Sequence, residues 1–218
     1  IAPMFTKHAL NMEAAANVKK VVKIPVILAN RINEPGMADI LLEMDKCDFV
    51  GLARGSLADP YLPVKAKEGK FDQINYCNGC LQGCEGPLLT GGCVTCLVNP
   101  RVGREYETDL TKTTQPKKVM VIGGGPAGLV AARTAAIKGH DVSLYEASSH
   151  LGGQFRSAAY PIGKGELSTT TSSYRANLEA LNVPVHLNSE VSEEMIQEIK
   201  PDAIILATGA KPMVPPIK

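Results

Sequence analysis

The sequence predicts an α/β protein that ends in a Rossmann-like dinucleotide-binding domain. Two observations carry this prediction. Short β-branched runs alternate with helical patterns from residue 24 to residue 69, an order that is typical of a parallel sheet. A second unit begins at residue 118, where the apolar run 119–122 leads into the glycine sequence G-x-G-x-x-G and then into a helical pattern.

Composition argues against several classes of function. The chain has 218 residues, with 23 Lys and Arg against 22 Asp and Glu, so a basic surface for nucleic acid is not indicated. The longest apolar runs, such as residues 203–207, are too short to span a bilayer. Residue 1 is Ile and enters in the middle of a pattern, from which we expect a piece of a longer protein.

The first third of the chain reads as two strands separated by helices. The runs 24–30 and 49–54 are strand-like, and the runs 13–22, 34–44 and 57–69 have helical spacing. Pro35 suits the first turn of a helix, where a missing N–H is tolerated, and Gly69 suits a helix end. We expect a first domain over residues 1–75, with Cys47 as a small buried apolar side chain.

The glycine fingerprint predicts a site for a dinucleotide. Gly123 permits the tight turn, Gly125 lets the backbone approach a pyrophosphate, and Gly128 allows close helix–strand packing. The following helix offers free N–H groups to the phosphates at its first turn, which contains Pro126 and Ala127.

An acidic residue completes the fingerprint. Glu146 closes the next strand, where its carboxylate would accept hydrogen bonds from the ribose hydroxyls. Glu at this position, instead of Arg, argues against a 2′-phosphate on the ribose. The rest of this domain, residues 118–218, predicts a helix at 174–182, a strand at 183–188, a helix at 192–200 with Ser192 as N-cap, and a strand at 202–210.

Five of the six cysteines fall between residues 77 and 96, in a segment (76–103) with little periodicity that reads as a loop. Disulfides fit poorly, because an intracellular redox protein would keep these thiols reduced. Structural zinc would use Cys77, Cys80, Cys93 and Cys96, a spacing close to that of zinc ribbons. A 4Fe-4S cluster would use Cys77, Cys80, Cys84 and Cys96. The residues alone leave zinc and the cluster open. The flavin domain that the resemblance below implies would favour the cluster, because a cluster carries single electrons to and from flavins.

The second half resembles the FAD-binding domain of pyridine-nucleotide–flavin oxidoreductases in the stretches "VIGGGPAGLVAA", "YEASSHLGGQF" and "AIILATGA". The resemblance implies that FAD, or ADP in one branch, lies against residues of the second glycine pair and of the ATG sequence. These are Gly153, Gln154, Ala207, Thr208 and Gly209. It also implies an NAD(P)H domain after the ATG strand.

The stretch "CNGCLQGC…CLVNPR" resembles the cluster motif of the iron–sulfur branch of the old yellow enzyme family. That branch includes 2,4-dienoyl-CoA reductase, 2-enoate reductase and trimethylamine dehydrogenase. The last ligand there precedes "LVNP", which selects Cys96, although Cys93 departs from the pattern and leaves an exchange with Cys96 open.

Residues 24–69 resemble the seventh and eighth βα units of that family's FMN-binding TIM barrel. Phosphate sites in such barrels follow these two strands. The resemblance therefore implies that Asn30, Arg31, Ala53 and Arg54 hold the FMN phosphate. Here "ARGS" stands where relatives commonly have "ARP" followed by an aromatic residue. This departure leaves the shape of the phosphate loop open.

The predicted organisation is thus the end of an FMN barrel (1–75), a cluster segment (76–103), a connector (104–117) and a truncated FAD domain (118–218). The resemblance implies an NAD(P)H-dependent reductase of activated C=C bonds in the cytoplasm, with an unsaturated small molecule as partner and no nucleic acid or membrane. The oligomeric state is left open between a monomer and a homo-oligomer. The alternatives are an amine dehydrogenase or demethylase, and a zinc-stapled nucleotide module without catalysis.

No catalytic proton donor is assigned, because the substrate-facing residues of the family lie on strands that this sequence lacks. We expect the four histidines to face solvent or to bond locally. Two of the eight strands of a barrel cannot close it, so we expect residues 1–218 to be inactive when isolated.

Overall fold

The computed structural model describes residues 1–211, 213 and 215–217 and divides into two compact units. The first unit comprises residues 1–109 and 159–173, and the second comprises residues 110–158 and 174–218. The predicted boundary at residue 118 does not anticipate that residues 159–173 return to the first unit. None of the helices in the described part of the chain is long and apolar enough to cross a bilayer.

The first unit is built on two parallel strands, β1 (Ile27–Ala29) and β2 (Phe49–Gly51), with Leu28 opposite Val50. Its helices are α1 (Met12–Lys19), α2 (Pro35–Glu43), α3 (Ala53–Ala58), α4 (Leu62–Lys67) and α5 (Glu85–Leu89), with a 3-10 turn at Phe71–Gln73. Helix α2 connects β1 to β2, which is the βα arrangement that the alternating pattern predicts. It begins at Pro35, as predicted.

The core beside this sheet consists of Leu28, Ile32, Leu41 and Cys47. Each fully buried leucine contributes roughly 1.5–3 kcal/mol relative to an exposed one. Cys47 is 2% exposed, which confirms its prediction as a small apolar core residue. Burial is also the first cause of the raised pKa of this thiol.

Three local predictions for this unit need correction. The strand predicted over 49–54 ends at Gly51, and Ala53 already opens α3. The helix predicted over 57–69 is two short helices, because Asp59 takes an extended conformation before Pro60. The cysteine segment, predicted as a loop, contains the short helix α5.

The second unit is a four-stranded parallel sheet in the order β5-β4-β3-β6. Its elements are β3 (Lys118–Ile122), α6 (Pro126–Ile137), β4 (Asp141–Tyr145), α7 (Phe155–Ala158), β5 (Val185–His186), α9 (Glu193–Ile199) and β6 (Ala203–Leu206). The central strand β3 is buried through Val119, Met120 and Val121, as expected for a strand covered on both faces. The N-cap prediction is confirmed, since the Ser192 hydroxyl accepts a hydrogen bond from the Met195 amide.

Helix α8 runs from Leu167 to Ala180 and is longer than the predicted 174–182. Its first turns have the sequence "LSTTTSS", which has low helix propensity because Ser and Thr compete for backbone hydrogen bonds. In the structure these hydroxyls bond back to carbonyls of the preceding turn. Ser168 donates to Gly165 at 2.7 Å, Thr169 to Glu166 at 2.8 Å and Ser173 to Thr169 at 2.9 Å.

Candidate redox cofactor sites

Four cysteines converge on one small cavity in the first unit. Cys77, Cys80, Cys84 and Cys96 all line it. Cys93 does not, and its side chain is exposed. The structure thus brings together the four residues that the sequence proposes for a cluster and leaves out the one that only the zinc alternative needs.

Backbone amides approach the sulfur atoms of this cavity. The Gly79 amide donates to the Cys77 thiol, and the Val98 and Asn99 amides donate to the Cys96 thiol. Burial nevertheless raises the pKa of both thiols, while the Arg54 charge acts in the opposite direction at Cys77. Buried thiols that already receive N–H donors are suited to ligate iron, because coordination deprotonates the thiol and the amides stabilise the thiolate.

The lining of the cavity bears on the two metal hypotheses. A structural zinc ion would need Cys93 together with Cys77, Cys80 and Cys96 on one atom, but Cys93 does not line the cavity. A 4Fe-4S cluster binds each of its four thiolates to a different iron, and the four cysteines proposed for it all line the cavity.

The two arms of the cysteine segment are joined at Gly83. Its carbonyl accepts hydrogen bonds from the Thr95 amide at 2.7 Å and from the Thr95 hydroxyl at 3.2 Å. A Cβ atom on Gly83 would lie 2.8 Å from the Thr95 carbonyl group, so only glycine permits this approach. The contact holds Cys84 and Cys96 at the same cavity.

Asparagines fix the ends of the same segment. The Asn33 side chain donates to the Cys77 carbonyl, and the Asn99 side chain donates to the Leu57 carbonyl at 2.9 Å. Asn33, Asn78 and Asn99 were not predicted as site residues. The sequence signal that could have found Asn78 and Asn99 is their position within or beside the cysteine motif.

A second cavity of about 440 Å³ lies at the carboxyl ends of β1 and β2. Asn30, Arg31, Ala53 and Arg54, the four residues proposed for the FMN phosphate, all line it. The backbone is left-handed at Asn30 (φ 99°) and Arg31 (φ 57°), which is uncommon for residues other than glycine. Such conformations cluster at ligand sites, where surrounding structure holds them in place.

The two arginines of this cavity have different roles. Arg31 is buried, and its guanidinium donates to Glu166 and to the carbonyl oxygens of Met4 and Thr6. Its charge is therefore paired with the Glu166 carboxylate, while the residue itself lines the cavity proposed for the FMN phosphate. Arg54 instead donates to the Ala2 carbonyl at 2.8 Å, a contact that leaves its positive charge uncompensated. Glu166 was missed because nothing in the sequence pairs it with Arg31.

The two cavities of the first unit share a wall. Cys77, Cys84, Arg54 and Leu57 line both. A group bound in the larger cavity and a group held by the cysteines would thus be separated by little more than these side chains.

The dinucleotide fingerprint of the second unit has the geometry that its glycines predict. A Cβ on Gly123 would lie 2.3 Å from the Ala207 carbonyl oxygen, and a Cβ on Gly128 would lie 1.8 Å from that of Gly123. A Cβ on Gly125 would meet nothing within 4 Å. The first two glycines are thus needed by the protein itself, whereas Gly125 keeps an open space at the N-terminus of α6, next to Pro126 and Ala127. That space fits the pyrophosphate of a dinucleotide.

The remaining proposed residues surround the same turn. The Glu146 carboxylate accepts from the Gly124 amide at 2.7 Å and the Ser148 amide at 2.8 Å. Burial raises the pKa of this carboxyl, but the two amides outweigh burial and lower it overall. Glu146 is thus held ionised, as an acceptor for ribose hydroxyls should be. Gly153 lies beside the fingerprint turn, since a Cβ atom on Gly153 would lie 3.4 Å from the Gly125 Cα.

The residues that follow β6 lie beside the fingerprint turn. The Ala207 amide donates to Ile122 at 2.8 Å, and Thr208 and Gly209 follow it. The Gln154 side chain donates to the Ala210 carbonyl. These contacts bring the second glycine pair and the ATG sequence to the same edge as the fingerprint.

Each histidine has a partner in the protein. His140 accepts from the Lys117 amide, His150 bonds to Ser149 and His186 stacks on Tyr145. His8 does not bond locally as predicted, because its partner Glu166 lies 158 residues further along the chain.

Comparisons with known proteins match both halves of the chain. Residues 3–73 match the NADH:flavin oxidoreductase / NADH oxidase family, and residues 121–197 match the NAD(P)-binding Rossmann-like domain. A metal reductase of Desulforamulus reducens is 43% identical over 93% of this chain and 31% of its own length. A cinnamate reductase of Clostridium sporogenes is 40% identical over 96% of this chain and 32% of its own length.

Among solved structures, a 2-naphthoyl-CoA reductase in complex with 2-naphthoyl-CoA superimposes with a TM-score of 0.93 at 33% identity. The match covers 99% of this chain and 33% of that one. The chain thus spans about a third of the length of the relatives it matches. These findings confirm the family and the α/β fold predicted from the sequence, including the origin of the first unit in a TIM-barrel family. The chain belongs to the iron–sulfur branch of the old yellow enzyme family, within the NADH:flavin oxidoreductases.

Proposed function

We propose that the protein to which this chain belongs is an NAD(P)H-dependent flavin and iron–sulfur oxidoreductase. It reduces the activated C=C bond of an enoate, an enone or an enoyl thioester. When bound, FAD, a 4Fe-4S cluster and FMN would supply the redox chemistry, with electrons passing from NAD(P)H through them in that order and reaching the substrate as hydride.

The observation that carries this proposal is the wall shared by the two cavities of the first unit. Cys77 and Cys84 face both the cluster cavity and the larger cavity proposed for FMN. A thiolate that ligates the cluster and also borders the flavin supports electron transfer between them over a short distance. Neither a zinc staple nor a purely structural module needs this arrangement.

The chain's own residues have distinct tasks in the proposal. Arg54 and the backbone at Asn30 bind and orient the FMN phosphate, while Arg54 also places positive charge beside the cluster. Cys77, Cys80, Cys84 and Cys96 ligate the cluster. Glu146 binds the ribose of FAD, and Gly125 leaves room for its pyrophosphate.

The relatives support the type of reaction. The cinnamate reductase and the 2-naphthoyl-CoA reductase are named for substrates with a C=C bond conjugated to a carboxyl or thioester group. Hydride addition to such a bond is favoured because the carbonyl stabilises the charge that develops next to it.

A coupled assay on the full-length protein tests the proposal. Under anaerobic conditions we expect NADH or NADPH oxidation to depend on an enoate such as cinnamate. One saturated product should form for each reduced nucleotide oxidised. If an N-methylated amine instead reduces the flavin, and no enoate is consumed, the protein is a dehydrogenase or demethylase and the proposal is wrong.

Two cysteine variants sharpen this test. Cys84→Ser should still allow reduced nucleotide to bleach the FAD absorbance but should abolish enoate reduction, because transfer through the first unit is interrupted. Cys93→Ser is the matched control, since Cys93 does not line the cluster cavity. It should retain both activities.

A further inference from the structure

Asn78 is a buried polar residue of the cysteine segment, between Cys77 and Gly79. It is 2% exposed and lines the same small cavity as the four cysteines. Its amide nitrogen, Nδ2, is buried and has no hydrogen-bond partner among the described residues. A buried N–H without an acceptor is unfavourable, because its hydrogen bonds to water are lost and nothing replaces them. An unpaired donor at a cavity therefore indicates an acceptor that the chain itself does not supply.

The lining of the cavity restricts what that acceptor is. Apart from Asn78, its side chains are the cysteines, Arg54 and apolar groups. The guanidinium of Arg54 has donors only, and the apolar groups, which include Leu57, Leu81 and Leu97, neither donate nor accept. The cysteine sulfurs are not partners of Nδ2 either, so the acceptors that suit this position are the sulfides of a bound cluster.

We propose that the Asn78 side-chain amide donates an N–H···S hydrogen bond to the iron–sulfur cluster and thereby raises its reduction potential. The inference rests on the proposed function, in which this cavity holds a 4Fe-4S cluster. Reduction adds one negative charge to the cluster, so a donor stabilises the reduced form more than the oxidised form. The protein thus tunes how readily the cluster accepts an electron.

Asn78 differs from the other donors at this site. The amides of Gly79, Val98 and Asn99 belong to the backbone and follow from the path of the loop. The Asn78 donor belongs to a side chain, so a single substitution removes it and leaves the loop and its cysteines in place. This makes Asn78 a tuning residue and not a ligand.

The first experiment is an EPR-monitored redox titration of the full-length holoenzyme, after iron and acid-labile sulfide have been counted. Asn78→Leu keeps the size of the side chain and removes the donor. We expect its potential to be more negative, corresponding to at least a tenfold loss in the reduction equilibrium constant, about 59 mV for one electron. An unchanged potential in a variant with full iron content overturns the inference.

Asn75→Leu is the matched control. Asn75 is also buried, at 6% exposure, and lies three residues before Asn78, but it does not line the cavity. Its substitution should lower stability without moving the potential. An equal shift in both variants would mean that the potential follows general loop damage, which also overturns the inference.

A second measurement does not depend on the Leu variant folding. Wild-type protein labelled with asparagine carrying ¹⁵N only in the side-chain amide should show a ¹⁵N hyperfine coupling to the reduced cluster in pulsed EPR. The coupling should disappear in Asn78→Ser. Its absence from the wild type, or its persistence in that variant, overturns the inference. A wild-type protein with no iron or sulfide would instead contradict the proposed function, so the two failures are distinguishable.

Discussion

The guanidinium of Arg31 donates to both carboxylate oxygens of Glu166, at 2.5 and 2.9 Å, across 135 residues of sequence. The Arg31 side chain is 2% exposed and that of Glu166 is 26% exposed. Within the first unit, this pair ties residues 159–173 to the end of β1. The same guanidinium contacts the cluster loop, since a Cβ on Gly79 would lie 2.6 Å from one of its nitrogens.

Loss of this ion pair should destabilise the protein. Glu166→Gln would leave the buried Arg31 without its counter-charge, which costs roughly 2–3 kcal/mol. Urea unfolding of the full-length protein, followed by far-UV circular dichroism, measures the change. Glu179→Gln is the control, because its pair with Arg175 is exposed on both sides and should contribute less than about 0.5 kcal/mol. Equal effects of the two substitutions would contradict the structural role of Glu166.

The same pair predicts a pH dependence of stability. Burial raises the pKa of Glu166, but the bonds from Arg31 and His8 outweigh burial and lower it below its usual value of about 4.5. A lowered pKa means that the folded state binds the proton less readily than the unfolded state. The stabilisation is therefore present above about pH 4.5 and is lost as pH falls through the lower, folded-state pKa. The difference in unfolding free energy between wild type and Glu166→Gln should be constant from neutral pH down to about pH 4.5 and should shrink at lower pH. A difference that grows with acidification would contradict the assignment.

The dinucleotide fingerprint predicts opposite effects for two glycines. Gly125→Ala should fold normally, because its Cβ meets no protein atom, but its Cβ would occupy the space proposed for the pyrophosphate. Gly128→Ala should disrupt folding of the second unit, because its Cβ would lie 1.8 Å from a carbonyl oxygen. Flavin content and thermal unfolding of each variant check this. A Gly125→Ala protein with full FAD would show that the dinucleotide lies elsewhere.

Two glycines of the cysteine segment also predict opposite effects on substitution. Gly83→Ala should lower the iron content, because its Cβ would collide with the Thr95 backbone and separate the two arms of the segment. Gly86→Ala in α5 should retain iron, since its nearest neighbour would be the Leu81 oxygen at 3.6 Å. Iron per chain, measured after anaerobic purification, distinguishes them. Loss of iron in both variants would mean that the loop tolerates no change, and the specific role of Gly83 would be wrong.

The sequence predicted the features that depend on local patterns. The glycine fingerprint, the acid at Glu146 and the start of α2 at Pro35 follow from backbone requirements that a few neighbouring residues meet by themselves. The cysteine spacing likewise indicated a metal site, although the residues alone left zinc and a cluster open.

The features that were missed depend on tertiary contacts. The ion pair of Arg31 was missed, because its partner Glu166 lies 135 residues further along the chain. The first turns of α8 were missed, because a Ser- and Thr-rich run has low helix propensity, and only its burial, as at Thr170 and Ser173, favours the helix. Asn78 gave no signal by itself, since only burial against the cavity distinguishes it from a polar loop residue.

The most direct test of the central claim is a count of iron, acid-labile sulfide, zinc and flavin in the full-length protein purified without oxygen. We expect about four irons and four sulfides per chain, with both FMN and FAD. Cys84→Ser should lose the iron, and Cys93→Ser should retain it. One zinc without sulfide or flavin, lost in Cys93→Ser and retained in Cys84→Ser, would contradict the presence of a cluster. It would make Cys77, Cys80, Cys93 and Cys96 a structural zinc site.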